Sequence, residues 1–302
     1  MPYILTNSFI YAGLTLFGIL FFASAFEVSE PAAFYANGQF DLRIIVMLLL
    51  AEPHFAMTIP LLFAYKRNFV ENKLFYVVVP SLIVTSSAVL FFSYQNLFYL
   101  IFLFANVYHV NRQSLGFFKL QTKLSISVSQ VYEFALFTAA GIAVFHTILG
   151  KGTNVYLFLV VLISAMLLMV ASIFRSQKRL LSIREAFVAL QGLIIFIPLL
   201  IFENIMTAFA VGISIHYLQY MAISWRVLKK GHGVSMFFIF PVIVVYAIFS
   251  TGALSGFFTD ERISLIVFIP TLMQLLHFYY DGLMWRRSDP LVKQAIDKSF
   301  RG

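Results

Sequence analysis

The fold is decided by the stretch NLFYLIFLFANVYHVNRQSLGFF, residues 96–118, which is followed by Lys119. It is apolar over most of its length and long enough to cross a bilayer as a helix, which takes about 17–25 residues. One histidine, His109, lies inside it. We therefore predict a membrane-spanning helix that carries a buried polar side chain. Similar stretches recur along the chain.

The composition also indicates a membrane protein. The 302 residues are 61% hydrophobic and 11% charged, with 36 Phe, whereas soluble domains average about 25% charged residues. Apolar stretches long enough to span a bilayer predict an all-α bundle of about ten transmembrane helices. The predicted spans are residues 3–26, 42–65, 74–94, 96–118, 126–149, 154–174, 185–202, 204–225, 233–252 and 262–285.

The positions of the basic residues predict the orientation of this bundle. Of the 21 Lys and Arg, 17 fall in the segments after the second, fourth, sixth, eighth and tenth spans. The opposite segments carry only Arg43, Lys151 and Arg262. By the positive-inside rule, both termini are predicted to be cytoplasmic. The same clusters account for the net charge of +8, so no nucleic-acid partner is expected.

The domain organisation is predicted to be simple. No repeat, low-complexity run or long linker divides the sequence, which predicts a single transmembrane domain over residues 1–302. Residues 288–302 combine apolar and charged side chains at helical spacing, as in a short helix on the cytoplasmic membrane surface. Ser182 and Glu185 have the spacing of a capping box, and Asp289 with Pro290 is typical of a helix start.

Four histidines define the candidate site. They are His54, His109, His216 and His277, and each lies 9 to 12 residues before the first basic residue of the next cytoplasmic segment. At about 1.5 Å per residue, this spacing places all four roughly 14–18 Å from one membrane face. Polar groups buried in lipid usually face the bundle interior, so four at one depth predict a shared metal or cofactor site. His146 and His232 lie outside this layer.

Polar side chains accompany three of these histidines one helical turn further toward the cytoplasm. His109 is followed by Arg112 and Gln113, His216 by Gln219 and Tyr220, and His277 by Asp281. Residues three or four apart share a helix face, so these groups are expected to flank the same cavity.

Three residues are candidates for a catalytic role: Glu133, Asp281 and Arg112. Glu133 reaches the histidine depth from the cytoplasmic side of the next span. Either carboxylate can orient a ligating imidazole by accepting its second N–H. Arg112 is expected to receive a polar substrate end or to neutralise one of the two carboxylates. Glu52 lies on a different face from His54 and is not assigned.

The available ligands limit which metals the predicted site could bind. The chain has no cysteine, so thiolate ligands, disulfides and cysteine nucleophiles are excluded. Four imidazoles suit iron, copper, zinc or nickel and argue against calcium or magnesium. Iron as Fe²⁺ with open positions can bind molecular oxygen, and the membrane supplies apolar substrates. No His-Glu-x-x-His motif is present, which argues against a zinc protease.

The sequence around the four histidines follows a recognisable order: Pro53-His54, Tyr108-His109, Ile215-His216 and the run HFYYDGLMWR at 277–286. These motifs resemble the bacterial and archaeal membrane-embedded β-carotene dioxygenase family, which is related to the bacterio-opsin-associated proteins. The resemblance implies a helical enzyme of the prokaryotic cytoplasmic membrane, surrounded by membrane lipids. It also implies an iron centre that oxidises a lipid or isoprenoid such as a carotenoid with molecular oxygen.

Two other function classes stay open. Paired histidines on facing helices can ligate haem b, which would make the chain an electron-transfer protein. Buried His, Glu and Arg can also serve as a proton relay in a transporter, although no inverted repeat supports this.

Overall fold

The computed structural model describes residues 51–65, 70–122, 124–149, 155–177, 182–202, 205–235, 238–239, 241–246, 263–286 and 289–301. Within these ranges the chain is all-α and contains no strand. The predicted span 3–26 lies outside the described residues, as do parts of the predicted spans 42–65 and 233–252.

The described residues form a series of α-helices. In chain order they are α1 Glu52–Ala56, α2 Thr58–Ala64, α3 Val79–Ser93, α4 Gln95–Gln121, α5 Ile126–Leu149, α6 Val155–Gln177, α7 Ile183–Ile194, α8 Pro198–Ile201, α9 Ile205–Arg226, α10 Ile263–Met284 and α11 Pro290–Arg301. Two π-helical turns adjoin them, Leu74–Val78 before α3 and Val227–His232 after α9.

Three of the described helices are long and apolar enough to cross a membrane. They cover Leu74–Ser93, Ile126–His146 and Tyr156–Arg175 and coincide with the spans predicted at 74–94, 126–149 and 154–174. The helices that carry the four histidines are not among them.

The outer surfaces of α3 and α6 fit an apolar surrounding. Leu82 on α3 and Leu167 on α6 are 63% and 64% exposed. The hydroxyls on α3 do not need water, because Ser81, Thr85 and Ser86 each donate to the carbonyl four residues earlier. Such back-bonding satisfies the polar groups of a helix that faces lipid.

Proline interrupts two stretches predicted as continuous spans. The predicted span 185–202 forms α7 and α8 with a tight turn between them, because Pro198 has no N–H for the Ile194 carbonyl. That carbonyl instead accepts from the Ile197 N–H at 3.0 Å. In the predicted span 42–65, α1 and α2 are separated at Met57, where Pro60 likewise leaves the Ala56 carbonyl without its usual donor.

The described residues group into two compact units. The first comprises residues 107–219 and the second comprises 51–106 with 220–301. In the first unit, the Tyr132 hydroxyl donates to the Ala189 carbonyl at 3.1 Å and joins α5 to α7. Gly192 makes this approach possible, since a Cβ there would lie 2.2 Å from the Tyr132 hydroxyl oxygen.

In the second unit, α10 is joined to the chain before α3. Its Tyr279 and Tyr280 donate to the carbonyls of Phe75 and Tyr76 in the π-helical turn, at 2.8 and 3.0 Å. Near the start of the same helix, Phe268 packs with two aromatic rings, Phe91 and Phe98. These contacts hold the helix that carries His277 at both ends.

Both predicted helix starts are confirmed. Ser182 and Glu185 form a reciprocal capping box at the start of α7. The Asp289 carboxylate accepts from the backbone N–H groups of Leu291 and Val292 at 2.8 and 3.2 Å and so caps α11.

The apolar face of α11 packs on the protein. Val292, Ala295 and Ile296 are buried, and the helix lies on the π-helical turn Val227–His232. Arg226 Nε donates to the Ser299 carbonyl at 2.7 Å. The location of this segment at a cytoplasmic surface stays a prediction.

Candidate metal centre

The four histidines that the sequence predicts at one depth are all buried. The exposed fraction is 0% for His54, 6% for His109, 1% for His216 and 2% for His277. They come from α1, α4, α9 and α10, so four different helices each contribute one imidazole. Glu52, next to His54 on α1, is buried as well. We describe the histidines of each compact unit separately.

In the second unit, His54 and His277 form a pair. Their ring centroids lie 4.6 Å apart with the rings steeply inclined, and each ring offers a nitrogen within 4.8 Å of the other. Two imidazole nitrogens that come this close could both bind one metal ion.

A hydroxyl fixes one of these rings. Thr58 Oγ1, at the start of α2, lies 2.5 Å from His277 Nδ1, and Thr58 is itself buried. Because Nδ1 is engaged with Thr58, Nε2 is the nitrogen of His277 that could bind a metal ion. Ligating histidines commonly have such a partner on the second nitrogen, which sets the ring orientation.

Tyr220 packs against both rings of this pair. Its ring centroid lies 4.4 Å from that of His54 and 5.2 Å from that of His277. Its hydroxyl lies beside the side chains of Thr58, Ser224 and Asp281, without good hydrogen-bond geometry to any of them.

The carboxyl of Asp281 lies one turn beyond His277 on α10. It is buried, and it lies beside the hydroxyl of Tyr220 and the indole N–H of Trp285. Hydroxyl, indole and carboxyl groups therefore adjoin the histidine pair.

In the first unit, His109 and His216 form the other pair. Their ring centroids lie 5.2 Å apart with the rings nearly perpendicular. Nearby on the same two helices, Asn111 and Ser114 are buried, and Gln219 donates to Gln191 at 3.3 Å. This pair also brings two imidazoles from different helices into contact.

Arg112 and Glu133 pair with each other. The Arg112 guanidinium donates to Glu133 Oε1 at 2.7 Å, and their side chains are 48% and 33% exposed. Of the two roles predicted for Arg112, this ion pair corresponds to the neutralisation of a carboxylate. That carboxylate belongs to Glu133. The predicted action of Glu133 on an imidazole stays a prediction, as does a catalytic role for either residue.

The two remaining histidines have other surroundings. His232 lies in the π-helical turn after α9, with its ring edge-on to Tyr65 at 4.6 Å. His146 lies in the last turn of α5 and is partly exposed. Both therefore serve as natural controls for experiments on the buried histidines.

The donor set of these buried pairs could hold a metal ion. Neutral imidazoles are the nitrogen ligands that zinc, copper, iron and nickel accept, and no thiolate competes in this cysteine-free chain. The geometry alone does not choose among these metals.

The site includes two contacts that the spacing of the histidines did not predict. Thr58 follows His54 by four residues, the spacing that pointed to Gln113, Tyr220 and Asp281 beside the other histidines. The same rule could have found Thr58. Tyr220 was expected beside His216, but the sequence cannot show that its ring contacts His54 and His277.

Comparisons with known proteins give no information on this site. The chain matches no family model, no curated protein and no solved structure at a significant level.

Proposed function

We propose that the chain is an integral membrane metalloprotein in which His54, His109, His216 and His277 bind one metal ion. The observation that carries this proposal is the pairing of all four histidines, two in each unit, in buried positions. A single buried histidine is explained by a hydrogen bond to a neighbouring helix. Two pairs at the depth given by the sequence are better explained by a shared ligand.

The membrane part of the proposal extends beyond the three apolar helices. We propose ten spans, with both termini in the cytoplasm of a prokaryotic cell. The support is the distribution of Lys and Arg, which concentrates 17 of 21 in alternate segments. The four histidines then lie in helices that run in the same direction, at one depth.

The proposed metal is iron, and the proposed activity is oxidation of a lipid or isoprenoid with molecular oxygen. A ligand set of histidines without thiolate suits Fe²⁺, and a centre inside the bilayer meets apolar substrates directly. Bound iron would supply the redox chemistry. The protein would supply the imidazoles, their orientation through Thr58, and an apolar surrounding that excludes water. The motif resemblance to the β-carotene dioxygenases supports a carotenoid-like substrate.

The test of the metal proposal is elemental analysis of the detergent-purified protein beside ligand variants. Bound iron that disappears in His277→Ala and persists in His146→Ala supports the proposal. Visible absorbance of the same sample separates the haem b alternative, because a haem gives an intense Soret band. Metal-free wild-type protein contradicts the proposal and favours a proton-relay transporter.

A further inference from the structure

One buried contact of the histidine pair is not explained by metal binding alone. Thr58 reaches His277 from another helix, and its Oγ1 is 2.5 Å from Nδ1. The two residues are 219 positions apart in the chain, and both are buried. A hydroxyl can donate or accept, and a neutral imidazole has one nitrogen of each kind. The contact alone leaves the direction of this hydrogen bond open.

The neighbours of Thr58 suggest which of Thr58 and His277 donates in this hydrogen bond. The Tyr220 hydroxyl lies beside Thr58 and also beside the Asp281 carboxyl. Asp281 also lies beside the indole N–H of Trp285, a group that only donates. In the structure the Tyr220 hydroxyl makes no hydrogen bond of good geometry. If it turned to donate to Asp281, it could accept from Thr58, and the Thr58 oxygen would then accept from His277.

We propose that Thr58 is a positioning residue that holds His277 in the Nδ1–H tautomer and directs its Nε2 lone pair to the metal. In this proposal Tyr220 accepts from Thr58 and donates to Asp281, which sets the direction of the Thr58–His277 hydrogen bond. The use of Nε2 as a ligand rests on the proposed metal site, whereas the tautomer is a property of the metal-free chain. Polar partners of this kind typically change metal affinity by about 10–100-fold.

The packing around Thr58 suits this role. Thr58 begins α2 directly after Met57, where α1 ends, and His54 lies one turn earlier on α1. The same short segment therefore presents one candidate ligand and the hydroxyl that orients another. Tyr220 packs against both histidine rings and limits their rotation.

The tautomer can be measured without any metal. In metal-free protein labelled with ¹⁵N-histidine, imidazole nitrogens that carry a proton have chemical shifts distinct from those that do not. The His277 signals are assigned by their loss in His277→Ala. We expect a protonated Nδ1 and an unprotonated Nε2 in the wild type and in Thr58→Ser, which keeps the hydroxyl. Thr58→Val keeps the shape but removes the acceptor, so we expect a mixture of tautomers.

Metal affinity gives a second readout. We expect Thr58→Val to bind Fe²⁺ about 10–100-fold more weakly than the wild type, with Thr58→Ser close to wild type. Thr271→Val is the matched control, because it removes another buried threonine hydroxyl from α10. It should leave both readouts unchanged.

The outcomes separate the two proposals. An Nε2–H tautomer of His277 in the wild type overturns the role of Thr58, and so does an unchanged tautomer in Thr58→Val. Should Thr58→Val fail to fold, the wild type and Thr58→Ser still decide the tautomer. If the tautomer is as expected but no metal binds, the metal proposal fails while the assignment of Thr58 stands.

Discussion

Arg112 and Glu133 form a 2.7 Å ion pair that joins α4 to α5. Arg112 lies three residues beyond His109, on the same helix, so the pair holds the two helices together one turn from the histidine. The contact gives the charge of Arg112 a partner without requiring a substrate.

This pair gives the first prediction. Arg112→Gln and Glu133→Gln should each lower the free energy of unfolding, and the double variant should lose less than the sum. Partly exposed pairs typically couple by about 0.2–1 kcal/mol, and a double-mutant cycle in detergent measures this coupling. Strictly additive losses would show that the ion pair does not form. Complete loss of metal in Glu133→Gln would instead make Glu133 a direct ligand.

The second prediction concerns Gly212, four residues before His216 on α9. A Cβ at Gly212 would lie 2.2 Å from the Ile195 carbonyl oxygen, so Gly212→Ala must move α9 or the turn after α7. We expect a loss of about 1–3 kcal/mol in the free energy of unfolding, together with weaker metal binding through His216. Gly141→Ala on α5 is the control, because its Cβ meets nothing within 4 Å. Equal stability of the two variants would contradict the close approach.

The third prediction concerns Asp281. Asp281→Asn keeps the size of the side chain but replaces one acceptor oxygen by an amide that donates. We expect metal affinity to fall by about 10–100-fold, with the protein still folded. Asp297→Asn on α11 should have no such effect. Total loss of metal in Asp281→Asn, equal to that in a histidine variant, would show that Asp281 ligates the metal.

The fourth prediction is a pH dependence at the C-terminal helix. Burial, and then the charge of Lys298, lower the pKa of His232 below its ordinary 6.5. The unfolded chain therefore binds this proton more readily than the folded chain. The contribution of neutral His232 to the free energy of unfolding is fully present above about pH 6.5. It declines as the pH falls below that value.

Hydrogen exchange measures this effect directly. Amides of α11 should exchange faster at about pH 5.5 than at about pH 7.5, after correction for the intrinsic rates, and His232→Asn should remove most of the difference. The same pH response in His232→Asn would assign it to another group.

The spacing of the histidines from the basic segments predicts one common depth, which stays a prediction. The burial of all four, and the three apolar helices, could be predicted because each lies in or forms a long apolar stretch of the sequence. The sequence did not predict which residues contact each histidine. Periodicity shows which residues share a face of one helix, but it does not show which helix packs against that face. Tyr220 is the example: it follows His216 by one turn, yet its ring contacts His54 and His277.

The interruptions of the helices were only partly predictable. Pro198 and Pro60 mark positions where a backbone donor is missing, but proline can bend a helix as well as end it. The structure shows a tight turn before Pro198 and a helix boundary at Met57. This boundary places Thr58 at the start of α2, where it contacts His277.

The central claim is that the depth-matched histidines bind one metal ion. It is tested most directly by the iron content per protein of wild type, His54→Ala, His109→Ala, His216→Ala and His277→Ala, with His146→Ala and His232→Ala as controls. We expect about one iron per wild-type chain, loss of most of it in each of the first four variants, and full retention in both controls. Equal metal content in all six variants, or loss confined to one histidine pair, would contradict the claim.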